Sequence, residues 1–137
     1  MLRVYLAGEV QVESAGGLIR ESDLPGRQGR LAFVQLVDRR AHPVSREDLA
    51  DVLWADHPPV AWAIALSAII SKLRVVLEGA GLPRDEVITT AFGCYQLHLP
   101  RDAWVDLEVA ASGLHSAEGA VAAADAAAAY GEALVAL

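Results

Sequence analysis

The sequence predicts an α+β fold: an N-terminal antiparallel sheet, three helices and a C-terminal β-hairpin, followed by a helical pair. Three observations predict it. Apolar and polar residues alternate at both ends of the first hundred positions, in "LRVYLAGEVQVES" and in "VITTAFGCYQLHL", which is the period of half-buried strands. Between them apolar residues recur three and four apart, the period of amphipathic helices. The longest such stretch, "WAIALSAIISKLRVVL" from Trp62 to Leu77, carries only Lys72 and Arg74 as charges, so one of its faces is core and the other is unusually apolar.

Val4, Leu6, Val10 and Val12 predict two short strands around a turn at Gly8, and "GGLIRESDLPG" predicts a third, closed by Pro25-Gly26. From Arg27 to Arg40, Leu31, Val34 and Val37 recur at helical spacing with Phe33 beside them, and Pro43 stops this helix. Ser45 with Asp48 three residues later is a capping-box pattern, opening a short helix whose apolar side is Leu49, Val52 and Leu53. "ADHPP" breaks the chain, and Pro58-Pro59 precede the long helix. "EGAGLP" ends it. A hairpin follows, with its tip near Phe92-Gly93 and Tyr95, Leu97 and Leu99 alternating on the returning strand. From Trp104 onward the chain is rich in alanine, a strong helix former, and reads as helix with a break near Gly119. Leu31, Val34, Leu49, Leu53, Trp54, Leu66, Ile70, Leu73 and Leu77 are the expected core. A short helix, a tight loop, a longer helix and a hairpin together make a winged helix-turn-helix.

The 137 residues suffice for one domain, or for a domain and part of another. With 54% apolar and 21% charged residues, a packed core is expected. No uncharged apolar run reaches the roughly 18 residues of a membrane span, and no signal-peptide pattern is visible. Cys94 is the only cysteine, so no internal disulfide can form. A cytoplasmic protein is expected. The net charge of −7 weighs against nucleic acid, but it is unevenly placed. Residues 1–100 hold 12 acids and 10 bases, whereas residues 101–137 hold 6 acids and one base. A nearly neutral domain binds DNA if its few bases share a face.

Catalytic patterns are not evident. His42, His57, His98 and His115 have no ligand spacing, and no metal or other cofactor is implied. Glu47-Asp48 and Asp85-Glu86 are adjacent pairs, which do not face each other on a helix. "GGLIRESDLPG" fits neither phosphate-loop pattern. No enzyme is expected.

Five pieces, "GRQGRLAF", "VSREDLADVLWADHPPVA", "ALSAIISKLRVVL", "TTAFGCYQL" and "WVDLEVAA", occur in the order and at the spacing of a known family. The chain resembles the Streptomyces antibiotic regulatory proteins, which join an OmpR-type winged helix to a helical bacterial transcriptional activation domain. The resemblance implies a winged-helix DNA-binding domain at residues 1–100. It implies that residues 101–137 are the first helices, a tetratricopeptide-like hairpin, of a truncated or abbreviated activation domain. It further implies a transcription activator that binds double-stranded DNA at promoters, recruits RNA polymerase and sits as a homodimer on direct repeats.

In that family the long helix lies in the major groove and the hairpin wing reaches a neighbouring groove or the backbone. The positions carried over here are Ile64, Ser67, Ala68, Ser71, Lys72, Arg74 and Val75 on the long helix, and Thr89 and Thr90 on the wing. Where the family shows Asn, Gln, Thr or Arg on the outer face, this chain keeps Ser71 and Lys72 and is small or apolar elsewhere. Where the family's wing carries arginines, Ala91 and Gln96 stand here. Lys72 suits a phosphate or guanine, and is otherwise a solvated helix charge. Arg27 and Arg30, with Gln28, begin the first helix, whose N–H groups suit a phosphate; they equally suit a solubilising first turn. Arg39, Arg40 and Arg46 flank the turn before the second helix and suit either DNA-backbone clamps or plain surface charge, with surface charge preferred. Thr89 and Thr90 could donate to phosphate, or serve only as β-branched strand residues. The alternative function is a divergent winged-helix module that has lost DNA affinity and binds protein through the apolar outer face.

Overall fold

The computed structural model describes residues 1–112. The expected helical pair, apart from its first turns, lies outside the described residues. The elements are β1 (Arg3–Tyr5), β2 (Gln11–Ser14), β3 (Gly17–Arg20), α1 (Gly26–Asp38), β4 (Val44–Ser45), α2 (Arg46–Trp54), α3 (Trp62–Glu78), α4 (Arg84–Val87), β5 (Ile88–Ala91), β6 (Cys94–Leu97) and β7 (Trp104–Val105). Residues 106–112 are helical.

Two sheets flank the helices. The first has the order β3-β2-β1-β7 and the second β4-β6-β5. In the first, β1 pairs antiparallel with β2, Val4 opposite Val12, and β2 with β3, Val12 opposite Ile19. These three side chains are buried, so the alternation seen in the sequence is the inward face of this sheet.

β7 corrects the sequence reading, which placed Trp104 in a helix. Trp104 and Val105 pair parallel with Arg3 and Val4. The Trp104 N–H donates to the Leu2 carbonyl at 2.8 Å, Val105 is buried, and the Trp104 ring lies 5.3 Å from that of Tyr5. The open edge of β1 needs partners for its backbone groups, and these two residues supply them before the helix begins. The first sheet therefore takes in residues beyond 100. Asp106 fastens the junction by accepting from the Leu6 and Ala7 N–H groups at 3.0 and 3.1 Å. Arg40, just past α1, makes a bidentate pair with Glu108, both contacts 2.8 Å. Its pKa is raised, chiefly by the hydrogen bond to Glu108, against a partial opposing effect of burial.

The helices form a three-way contact, α1 with α2 and both with α3. The α3 stripe falls where periodicity put it: Leu66, Ile70, Leu73 and Leu77 are buried. Burial of each such side chain stabilises by roughly 1.5–3 kcal/mol. On α1 the stripe is rotated. Ala32, Phe33, Leu36 and Val37 are buried, while Leu31 and Val34 are only half-buried. On α2, Leu49 and Ala50 are buried, Leu53 and Trp54 are half-buried and Val52 is exposed. The reason is common to both helices. Each packs against the other and against α3, and the small Ala32 and Ala50 are among the buried residues. Ser45 caps α2 as its spacing predicts, its Oγ accepting from the Asp48 N–H at 3.1 Å.

Among the described residues no helix is long and apolar enough to cross a membrane.

Candidate nucleic-acid interface

The candidate surface is built from the uncovered face of α3 and the β5–β6 hairpin beside it. Because Leu66, Ile70, Leu73 and Leu77 fix which side of α3 faces inward, the helical period turns Ile64, Ser67, Ala68, Ser71, Lys72 and Val75 outward, and all six are exposed. Ile64 is 75% exposed and Val75 52%. These are large apolar groups left in water at a surface that also carries Lys72.

The hairpin is held against α3 by Arg74. Its guanidinium donates to the Ile88 carbonyl at 2.9 and 3.1 Å and to the Thr90 Oγ1 at 3.1 Å. Arg74 thus spans from the margin of α3 to β5, and its donors are largely committed within the chain. Thr90 uses its hydroxyl as the acceptor, and the Thr89 hydroxyl lies 2.8 Å from the His98 Nε2. Both threonines are exposed, and each has an internal partner. Between helix and hairpin runs an open groove of about 540 Å³, lined by Ser71, Arg74, Val75, Arg84, Asp85, Ile88, Thr89 and Thr90. Arg84 is paired with Glu78 at 3.1 and 3.2 Å. The lining carries two arginines and one aspartate, and Lys72 stands beside it as the exposed cation of the helix face.

Arg27 and Arg30 are elsewhere in the contact network. Arg30 pairs with Glu21 at 3.3 Å, and Glu21 in turn accepts from the Val10 N–H at 3.2 Å. Arg30 therefore ties α1 to the first sheet. Arg27 is exposed. Among the described residues no hydrogen bond or ion pair joins either arginine to α3 or the hairpin.

Two residues not selected from the sequence adjoin this surface. Phe92, at the hairpin tip, is fully exposed. Arg46, read as surface charge, donates its backbone N–H to the Gly93 carbonyl at 3.0 Å. The Arg46 guanidinium lies 6.0 Å from the centre of the Trp62 ring, at the start of α3, within reach of a cation–π contact. Arg46 thus joins α2, α3 and the hairpin tip. A phenylalanine before glycine, where a hairpin prefers asparagine, was the available signal for Phe92. The position of Arg46 beside the turn admitted a backbone clamp, but its partners Trp62 and Gly93 are distant in sequence and were not foreseen.

No group of three or more metal-ligating side chains occurs among the described residues. Cys94 is half-buried, with its thiol 3.7 Å from the Phe92 carbonyl.

No family model matches the chain. Over 71 residues it is 32% identical to the transcriptional regulatory protein EmbR of Mycobacterium tuberculosis, and equally to EmbR of Mycobacterium bovis. The match covers 52% of this chain and 18% of each relative. A solved structure of Mycobacterium tuberculosis EmbR in complex with a low-affinity phosphopeptide matches with a TM-score of 0.77 at 27% identity, covering 98% of this chain and 35% of that one. The chain therefore spans about a third of the solved protein and less than a fifth of the curated relatives, and over that span it is similar to EmbR in sequence and in fold.

Proposed function

We propose that this chain is the DNA-binding part of a transcription regulator, an activator that works by binding promoter DNA and without chemistry. The observation that carries the reading is the exposed face of α3. A 17-residue helix is seated on the core along one stripe and leaves Ser67, Ser71 and Lys72 projecting beside a hairpin. Similarity to EmbR, a transcriptional regulatory protein, points the same way. In this reading residues 1–100 are a winged helix-turn-helix, α2 and α3 its helix pair and β5–β6 its wing. Residues 101–137 begin a helical, tetratricopeptide-like activation domain, and β7 fastens its start to the first sheet.

The helix enters the major groove. Lys72 contacts a phosphate or a guanine, Ser67 and Ser71 reach base edges or phosphates, and Ile64, Ala68 and Val75 make apolar contact with thymine methyls. Arg74 and Thr90 position the wing against the helix, and Thr89 lies at the wing's outer margin. Arg27 and Arg30 are the weakest members of this set, since Arg30 is held by Glu21. RNA polymerase recruitment and a homodimer on direct repeats belong to the same proposal. So does a cytoplasmic location. Selection of bound duplexes from a random library tests the reading. It predicts one enriched motif, bound more weakly by Lys72→Ala, and an unenriched pool would refute it.

The exposure of Ile64 and Val75 supports a second reading, in which this face docks a protein, a second copy included. The Ile64→Arg/Val75→Arg variant separates the two. Under the second reading it loses self-association or partner binding by sedimentation or pull-down. Under the first it leaves association intact and strengthens non-specific DNA binding.

A further inference from the structure

The tip of the β5–β6 hairpin is a two-residue turn, Phe92-Gly93, closed by the Ala91–Cys94 pair. Both residues have positive φ, 53° at Phe92 and 71° at Gly93. This is the type I′ turn that suits the twist of a hairpin, and it favours Asn-Gly or Gly-Gly. Glycine takes positive φ freely and asparagine with little strain, but a bulky side chain there is an outlier. Phe92 is also fully exposed, so its ring packs on nothing and returns no burial energy for the strain. The fold would be served better by asparagine. A residue both strained and unpacked is a pointer to a role outside the fold.

The surroundings of the ring indicate what it meets. The hairpin strands, residues 88–97, contain no acidic residue. The charged side chain against the tip is Arg46, whose Nε lies 4.0 Å from the position a Gly93 Cβ would take. Arg46 is half-exposed, and its ion pair is a 3.5 Å contact with its exposed neighbour Glu47. Such a surface pair is weak and exchanges readily for a stronger anion. The tip therefore presents a flat apolar ring with an available guanidinium behind it. The wing has no arginine of its own, and Arg46, anchored to the Gly93 carbonyl through its backbone, brings one to the same place from α2.

We propose that Phe92 is an apolar wedge that enters between base pairs from the minor groove of duplex DNA, with Arg46 holding the adjacent phosphate. The inference rests on the DNA-binding reading above and names a contact that reading lacks. Minor-groove proteins use such wedges to unstack and kink a step, most easily a pyrimidine–purine step. A lone ring has no hydrogen-bonding group, so it reads deformability and not base edges. This compensates for a recognition helix poor in polar groups: discrimination shifts from donors on α3 to the ease of kinking at the wing.

The test uses the full chain and duplexes selected from the random library, substituted with 2-aminopurine at successive positions. Wild type should raise 2-aminopurine fluorescence at one step flanking the α3 site. Phe92→Asn, which suits the turn better, should melt at the same or a higher temperature. It should lose the fluorescence rise and bind at least about tenfold more weakly. Phe92→Leu should keep a partial rise. Arg46→Gln should lower the log–log salt slope by about one. If Phe92→Asn binds as wild type does, or wild type binds without unstacking any step, the wedge is refuted while DNA binding stands. If Phe92→Asn instead abolishes only self-association, the ring docks on protein and the wedge is likewise refuted. If wild type binds no duplex, both readings fall together.

Discussion

Ile70 and Ile64 lie less than two turns apart on α3, yet Ile70 is 1% exposed and Ile64 75%. The same contrast runs the length of the helix: Leu66, Leu73 and Leu77 inward, Ala68, Lys72 and Val75 outward. The inward residues are explained by packing, because they are buried where α3 meets α1, α2 and α4. The outward residues are not. Isoleucine and valine in water contribute nothing to the fold, and the helix would form as well with glutamate or lysine in their places. The comparison teaches that stability and function are separable on this helix by direction. Whatever the chain recognises must account for the outward face.

The largest expected effect lies on the inward face. Ile70→Ala or Leu73→Ala should each destabilise by roughly 2–5 kcal/mol, the loss of a buried side chain plus the cavity it leaves. Thermal or urea melts check this, and wild-type stability would reverse the assignment of the faces. Next is Lys72→Ala, which should weaken DNA binding by roughly 1–3 kcal/mol if the amine reads a base, with an unchanged melt. An unchanged affinity would remove Lys72 from the interface. Arg74→Gln belongs to neither face. It should lower stability by about 1–2 kcal/mol through loss of its charged hydrogen bonds to Ile88 and Thr90, discounted for partial solvent exposure. A loss of DNA affinity without a loss of stability would return Arg74 to direct contact. The smallest effect is on the outward face. Ile64→Ala and Val75→Ala should change stability by no more than about 0.5 kcal/mol. A larger drop would mean that these side chains pack within the fold.

How far the sequence foretold this molecule follows the range of the interactions. The α3 stripe, the Ser45 cap and the Phe92-Gly93 turn depend on residues within a turn or two of one another, and all three were legible. β7 was not. Trp104 and Val105 become a strand because the edge of β1, a hundred residues earlier, is open, and the helical sequence after them masked so short an element. The α1 stripe was misplaced for a related reason. Leu31 and Val34 have the right spacing, but the burial of Ala32 and Leu36 is decided by the packing of α1 against both α2 and α3. At the candidate site, the outward positions of Ile64, Ser71, Lys72 and Val75 followed from periodicity alone. The commitment of Arg74 to a backbone carbonyl did not, since a carbonyl has no sequence signature. Nor did the meeting of Arg46, Trp62 and Gly93, which joins three elements.

The contrast between the faces of α3 comes down to whether duplex DNA is what the outward face meets, and a salt-dependent titration against duplexes from the chain's own upstream region tests this most directly. With few available cations, binding should be weak and its log–log salt slope shallow, on the order of −3 to −5. Lys72→Ala should lower that slope by about one. No detectable binding to any duplex at low salt would contradict the account and leave the outward face to a protein partner.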